Sequence, residues 1–93
     1  MVVGLLTLEL RLEHSHSLKD KRQVVKSLKD RLRGKFNVAV AEIDAQEFWQ
    51  RAVLAAATVS ADQGHAEQVM RAVEAEASGL LGPMLIRCEL EWL

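Results

Sequence analysis

The sequence has one cysteine, one proline, no tyrosine, two phenylalanines and two tryptophans in 93 residues. A lone cysteine excludes an intrachain disulfide and a cysteine-based zinc cluster, which points to a reducing compartment. Scarce aromatics, unpatterned along the candidate strands, exclude the stacking platform of an RNA-recognition motif. No apolar run approaches the ~20 residues that span a bilayer, so no membrane contact is expected. The opening Met-Val-Val-Gly-Leu-Leu has no basic leader and meets Glu9 and Arg11 soon after, so it does not read as a signal peptide and the expected location is cytoplasmic. Gly-x-Ser-x-Gly, Walker and Gly-x-Gly-x-x-Gly motifs are all missing. No catalytic residue and no cofactor is therefore expected.

What is present is an ordinary globular composition, 49% hydrophobic and 27% charged. A chain of this length buries roughly 60–65% of its unfolded surface, enough for one modest core, so residues 1–93 read as one domain. The net charge of −1 hides an asymmetry. Residues 19–35 hold eight basic residues against two acids, a local +6, while the rest of the chain carries four against eleven, or −7. Such a bipolar domain holds an anionic partner at one pole and repels it at the other.

Val2, Leu6, Leu8, Leu10 and Leu12 alternate with Thr7, Glu9 and Arg11 and predict a half-buried strand. Ser17-Leu18-Lys19-Asp20 fits a helix N-cap with a carboxylate in the first turn. A helix is expected from Leu18 to Arg33, its apolar stripe Leu18, Val24, Val25, Leu28 and Leu32, stopping at Gly34 in a left-handed C′ conformation. Phe36 to Asp44 reads as a strand with Phe36, Val38 and Val40 on one face and a bulge near Ala41-Glu42. Ala45-Gln46-Glu47 is the expected turn, and Arg51 to Ser60 a third strand whose buried face the pattern leaves open. Ser60-x-x-Gln63 resembles a capping box, with Asp62 as a competing cap. The second helix is expected to end at Ser78-Gly79 after the stripe Ala66, Val69, Met70, Val73, Ala77. In the last strand Met84, Ile86, Cys88, Leu90 and Trp92 are expected inward and Arg87, Glu89 and Glu91 outward. The order βαββαβ predicts an α+β, ferredoxin-like fold, a four-stranded antiparallel sheet with two helices on one face.

On a helical wheel starting at Leu18, Lys19, Arg22, Lys26, Lys29 and Arg33 fall between about 20° and 100° and form one cationic ridge beside the apolar stripe. A row of cations suits phosphates spaced along a nucleic-acid backbone. The competing reading is a solvated face whose lysine stems cover apolar surface. Lys21 falls near 300°, inside the apolar stripe. The expectation is that it snorkels to solvent; the alternative is a cation held at a pocket edge or paired with a carboxylate. His14 and His16 share a face, but two ligands do not make a structural zinc site, and a polar connector is expected rather than a metal. His65 is expected exposed at a helix start, and Cys88 to be a small buried hydrophobe. Glu42, Asp44 and Glu47 gather around the central hairpin, as carboxylates near turns commonly do. Trp92 is expected to close the core, and Trp49 to plug one end of the domain.

His16-Ser17-Leu18-Lys19-Asp20-Lys21-Arg22, Phe36-Asn37-Val38-Ala39-Val40-Ala41-Glu42, Trp49-Gln50-Arg51-Ala52 and the terminal Glu89-Leu90-Glu91-Trp92-Leu93 together resemble the YlxP-like family of small bacterial proteins of unknown function. The resemblance spans nearly the whole chain. It implies a ferredoxin-like fold and a genetic setting among translation-initiation and ribosome-maturation genes, and it supplies no catalytic residues. The leading expectation is a non-catalytic accessory protein that touches ribosomal RNA or a ribosomal subunit through the first-helix ridge. The alternative is an interaction module that forms a homodimer through the sheet face the helices leave uncovered, or by edge-strand pairing.

Overall fold

Alternation at the start of the chain produces β1 (Val2–Arg11), which buries Gly4, Leu6, Leu8 and Leu10 on one side. In the computed structural model, which describes all 93 residues, there follow α1 (Leu18–Lys35), β2 (Ala39–Asp44), β3 (Arg51–Ser60), α2 (Gln63–Leu81), a 3-10 turn (Gly82–Met84) and β4 (Leu85–Trp92). The strands form one sheet in the order β2-β3-β1-β4, each neighbouring pair antiparallel. β1 and β3 pair along their whole lengths, from Val2 opposite Ser60 to Arg11 opposite Arg51. That register puts Ala52, Leu54, Ala56 and Thr58 on the same buried face as Leu6, Leu8 and Leu10, settling the face of β3 that its Val- and Ala-rich pattern leaves open.

Both helices lie on that face. Val25, Leu28 and Leu32 of α1 and Met70, Val73 and Ala77 of α2 pack with the Leu and Ala side chains of β1 and β3. Each fully buried Leu there contributes about 1.5–3 kcal/mol relative to an exposed one. Ser17 Oγ accepts the N–H of Asp20 at 3.1 Å, and Asp20 Oδ2 accepts the N–H of His16 at 3.0 Å, so the start of α1 is capped from both directions. No helix is long and apolar enough to cross a membrane.

Several boundaries differ from the sequence expectation, each for a packing reason. α1 runs through Gly34 to Lys35 and ends where Phe36 turns extended, donating its N–H to the Leu32 carbonyl. Phe36 and Val38 pack against the core, and their burial rather than a left-handed glycine sets the end. α2 continues past Gly79 because Leu81 extends the stripe one turn beyond Ala77 and is buried; it stops at Gly82, whose φ of 56° favours a residue without Cβ. Its N-cap is Asp62, which accepts from His65, and not Ser60, which instead accepts from the Asp62 N–H.

The bulge in β2 falls at Ile43, one residue later than expected, and turns this side chain outward. A second bulge, unforeseen, sits in β4, where Glu9 faces Arg87 but Leu10 faces Leu85. Ile86 is the extra residue and is exposed, whereas Leu85 takes the inward place. Trp92 is half-buried against Gly4, where an added Cβ would approach the indole to 2.9 Å.

The opposite sheet face is not covered by either helix. Val3, Leu5 and Thr7 of β1 and Val53, Ala55, Ala57 and Val59 of β3 run along its centre. The ion pairs Glu9–Arg51 and Arg87–Glu89 flank it.

Candidate functional site

α1 presents its ridge to solvent. Lys19 and Arg22 are exposed and Lys29 half-buried, and none of the three forms an ion pair. Lys26 and Arg33 share Asp30, at 2.6 Å and 3.2 Å. Hydrogen bonds from Lys26 and then Arg33 hold the Asp30 carboxyl below the usual carboxylate range. The ridge is therefore one acid less positive than its five cations, and spans about 21 Å at 1.5 Å per residue. Arg31 and Lys35, outside the ridge, both reach Glu76 of α2 at 3.1 Å and 2.8 Å; the Lys35 hydrogen bond leads in lowering its pKa.

Lys21 does not snorkel. Its side chain passes into the core and the residue is 1% exposed. Nζ donates to the carbonyls of Ala45 at 2.5 Å and Phe48 at 2.6 Å and lies 2.8 Å from Glu42 Oε2. The Glu42 contact is an ion pair without hydrogen-bond alignment, since Oε2 has no hydrogen-bond partner. Two carbonyl acceptors and one carboxylate charge around the ammonium compensate its burial. The lysine thereby clamps the loop between β2 and β3 from below.

That loop runs from Ala45 to Gln50, longer than the three-residue turn expected. Ala45 adopts a left-handed φ of 61°, a conformation the Lys21 bond to its carbonyl helps hold. At the far end the Gln50 carbonyl accepts from Leu12 at 2.8 Å, and its side-chain amide donates to Ser15 at 3.2 Å. Between the anchors, Phe48 is 60% and Trp49 47% exposed. Trp49 is thus half-exposed at the cleft and not a buried plug. With Glu9, Arg11, Arg51 and Ile86 the two aromatics border a cleft of about 440 Å³ at one end of the uncovered sheet face.

The remaining candidates stay apart. His14 and His16 are exposed, and no three His, Cys, Asp or Glu side chains gather as metal ligands. His65 is exposed at the start of α2, its N–H taken by Asp62. Cys88 is half-buried, and burial, with Glu74 beside it, pushes its thiol pKa up to about 12.

Strand order, antiparallel pairing and two helices on one face define a ferredoxin-like α+β protein. A crystal structure of a dimeric ferredoxin-like protein of unknown function from Thermobifida fusca YX is similar over 98% of this chain and 90% of that one, with a TM-score of 0.50 at 14% identity. The chain belongs to the DUF503 family, described as proteins of unknown function, whose model matches residues 3–81. The uncharacterized protein YlxP of Bacillus subtilis (strain 168) is 35% identical over 72 residues, 77% of this chain and 78% of that protein.

Proposed function

We propose that this protein is a non-catalytic binding module that contacts the phosphate backbone of RNA, as ribosomal RNA or within a ribosomal subunit, through Lys19, Arg22, Lys26, Lys29 and Arg33. One observation carries the reading: Lys19, Arg22 and Lys29 have no carboxylate partner although the chain is acidic overall. Phosphates supply the missing counter-charge and release condensed cations on binding. Such contacts position an RNA without reading its bases.

Reversing Lys19 and Arg22 to Glu tests this. Neither residue is in an ion pair, and acids near a helix N-terminus suit the macrodipole, so the fold is expected to survive. Affinity for purified ribosomal subunits should fall steeply, while Arg71→Glu on α2 should leave it unchanged. Equal affinity for wild type and the double reversal would reduce the ridge to a solvated face.

A second reading, homodimerisation through the uncovered sheet face, is favoured by the apolar line Val3, Leu5, Val53, Ala55, Ala57 and Val59. The Thermobifida fusca protein of the same fold is described as dimeric. Light scattering checks it: a monomeric mass across a hundredfold dilution series would remove the idea. Salt separates the two readings, because phosphate contacts weaken steeply with salt and an apolar interface does not.

A further inference from the structure

We propose that the cleft beside the Ala45–Gln50 loop is a nucleotide site, in which a nucleobase stacks on Trp49 and the attached phosphate meets Arg11. The site goes beyond the ridge reading and stands without it. Glu9, Arg11 and Arg51 share the parity of Val3 and Leu5, so the cleft opens on the sheet face away from α1.

Two adjacent aromatics stand out from a loop whose backbone is fixed by a buried lysine, a glutamine and a main-chain bond from Leu12. A loop anchored in this way presents a pre-ordered π surface, and little conformational freedom remains to be lost on binding. The walls of the cleft combine apolar and charged groups. Ile86, 46% exposed, adds apolar surface, and the β4 bulge is what turns it towards this side. Arg51 is neutralised by Glu9 at 3.0 Å, which leaves Arg11 as the cation of the cleft without a carboxylate partner. Glu13, also unpaired, stands at the rim, where a carboxylate can accept from an exocyclic amine.

An aromatic face beside one free cation calls for a ligand with a planar ring and a negative group. A nucleotide has both. A wholly apolar peptide would leave Arg11 and Glu13 desolvated without partners, which is unfavourable. The cleft volume of about 440 Å³ lies in the range of small-molecule sites, roughly 300–1,000 Å³. The same chemistry is offered by a free mononucleotide and by one unit of a single-stranded RNA.

The test uses the full chain and two probes, adenosine 5′-monophosphate and single-stranded tetraadenylate, with adenosine as the phosphate-free control. Saturable quenching of tryptophan emission is expected, and it should be absent in Trp49→Phe, which retains only Trp92. Trp49→Ala should weaken binding, measured by equilibrium dialysis, about 5- to 150-fold, the range for loss of one base–aromatic stack. Arg11→Gln should weaken adenosine 5′-monophosphate but not adenosine. Lys19→Glu with Arg22→Glu should leave mononucleotide affinity unchanged, so failure of the ridge and failure of the cleft give different results. Equal affinity for both probes assigns a free nucleotide, and much tighter tetraadenylate binding assigns a strand. The proposal is overturned if neither probe binds into the millimolar range, or if Trp49→Ala leaves affinity intact. It is equally overturned if Trp49→Ala converts a dimer into a monomer, since the aromatics would then be an anchor for a second copy.

Discussion

Replacing Lys21 by Met removes an ammonium from the core while keeping most of its aliphatic volume. The Glu42 carboxylate loses its cation, and the Ala45 and Phe48 carbonyls lose a charged donor. Breaking a buried pair by deleting one partner costs about 3–5 kcal/mol. The Glu42 side chain keeps 18% exposure, so water partly compensates it and the lower end, about 3 kcal/mol, is expected. With a urea m-value of about 1 kcal/mol/M for a chain this small, the denaturation midpoint should fall by about 3 M. Lys21→Met with Glu42→Leu removes both charges and should recover much of the loss, because a buried pair is often replaceable by apolar residues. Trp49 emission should shift in Lys21→Met before global unfolding, as the loop loses its clamp. A loss under about 1 kcal/mol with unchanged emission would mean that the ammonium reaches water, as surface lysines do.

Other consequences are as direct. Gly4→Ala should cost about 1–3 kcal/mol by overpacking and alter Trp92 emission, because the new methyl meets the indole; unchanged stability and emission would place the ring elsewhere. Cys88 should react slowly with a thiol reagent at neutral pH. Since its pKa is raised from 9.0 to about 12, folding binds the proton more tightly, and stability should fall as pH rises through that window, an effect Cys88→Ala should abolish. Glu76 has a lowered pKa, so its contribution is present above the ordinary carboxylate pKa and lost as pH falls below it. Glu76→Gln should flatten the melting temperature between pH 6 and pH 3, weakly at high salt.

The sheet and both helices are legible in the sequence because period-two and 3.6-residue patterns report which faces are buried. The alternation of Leu6, Leu8 and Leu10 gives the buried face of β1, and the spacing of Lys19, Arg22 and Lys26 places them on one side of α1. Bulges and loop ends are not written that way. Ile86 has the parity of Cys88 and Leu90, and only the register against Glu9 and Leu10 shows it displaced. Gly34 and Gly79 look like helix stops, yet burial of Phe36 and Leu81 decides both ends. The place of Lys21 in the apolar stripe marks it as unusual, but its acceptors lie 24 and 27 residues away, beyond local pattern. The same holds for the cleft. The adjacent pair Phe48-Trp49 outside both periodic patterns was the available signal, and its exposure depends on how Lys21 and Gln50 fix the loop.

The central claim, that the ridge binds an RNA backbone, is tested most directly by the salt dependence of affinity for a ribosomal subunit. Each phosphate neutralised contributes about 0.7 to the slope of log affinity against log salt on single strands and about 0.9 on B-form duplex DNA. Three unpaired cations predict a slope magnitude of about 2, and all five about 3.5 on single strands, if Asp30 releases Lys26 and Arg33 to the phosphates. Lys19→Glu with Arg22→Glu should reduce that slope together with the affinity. A slope near zero, or one unchanged by the double reversal, would contradict the account.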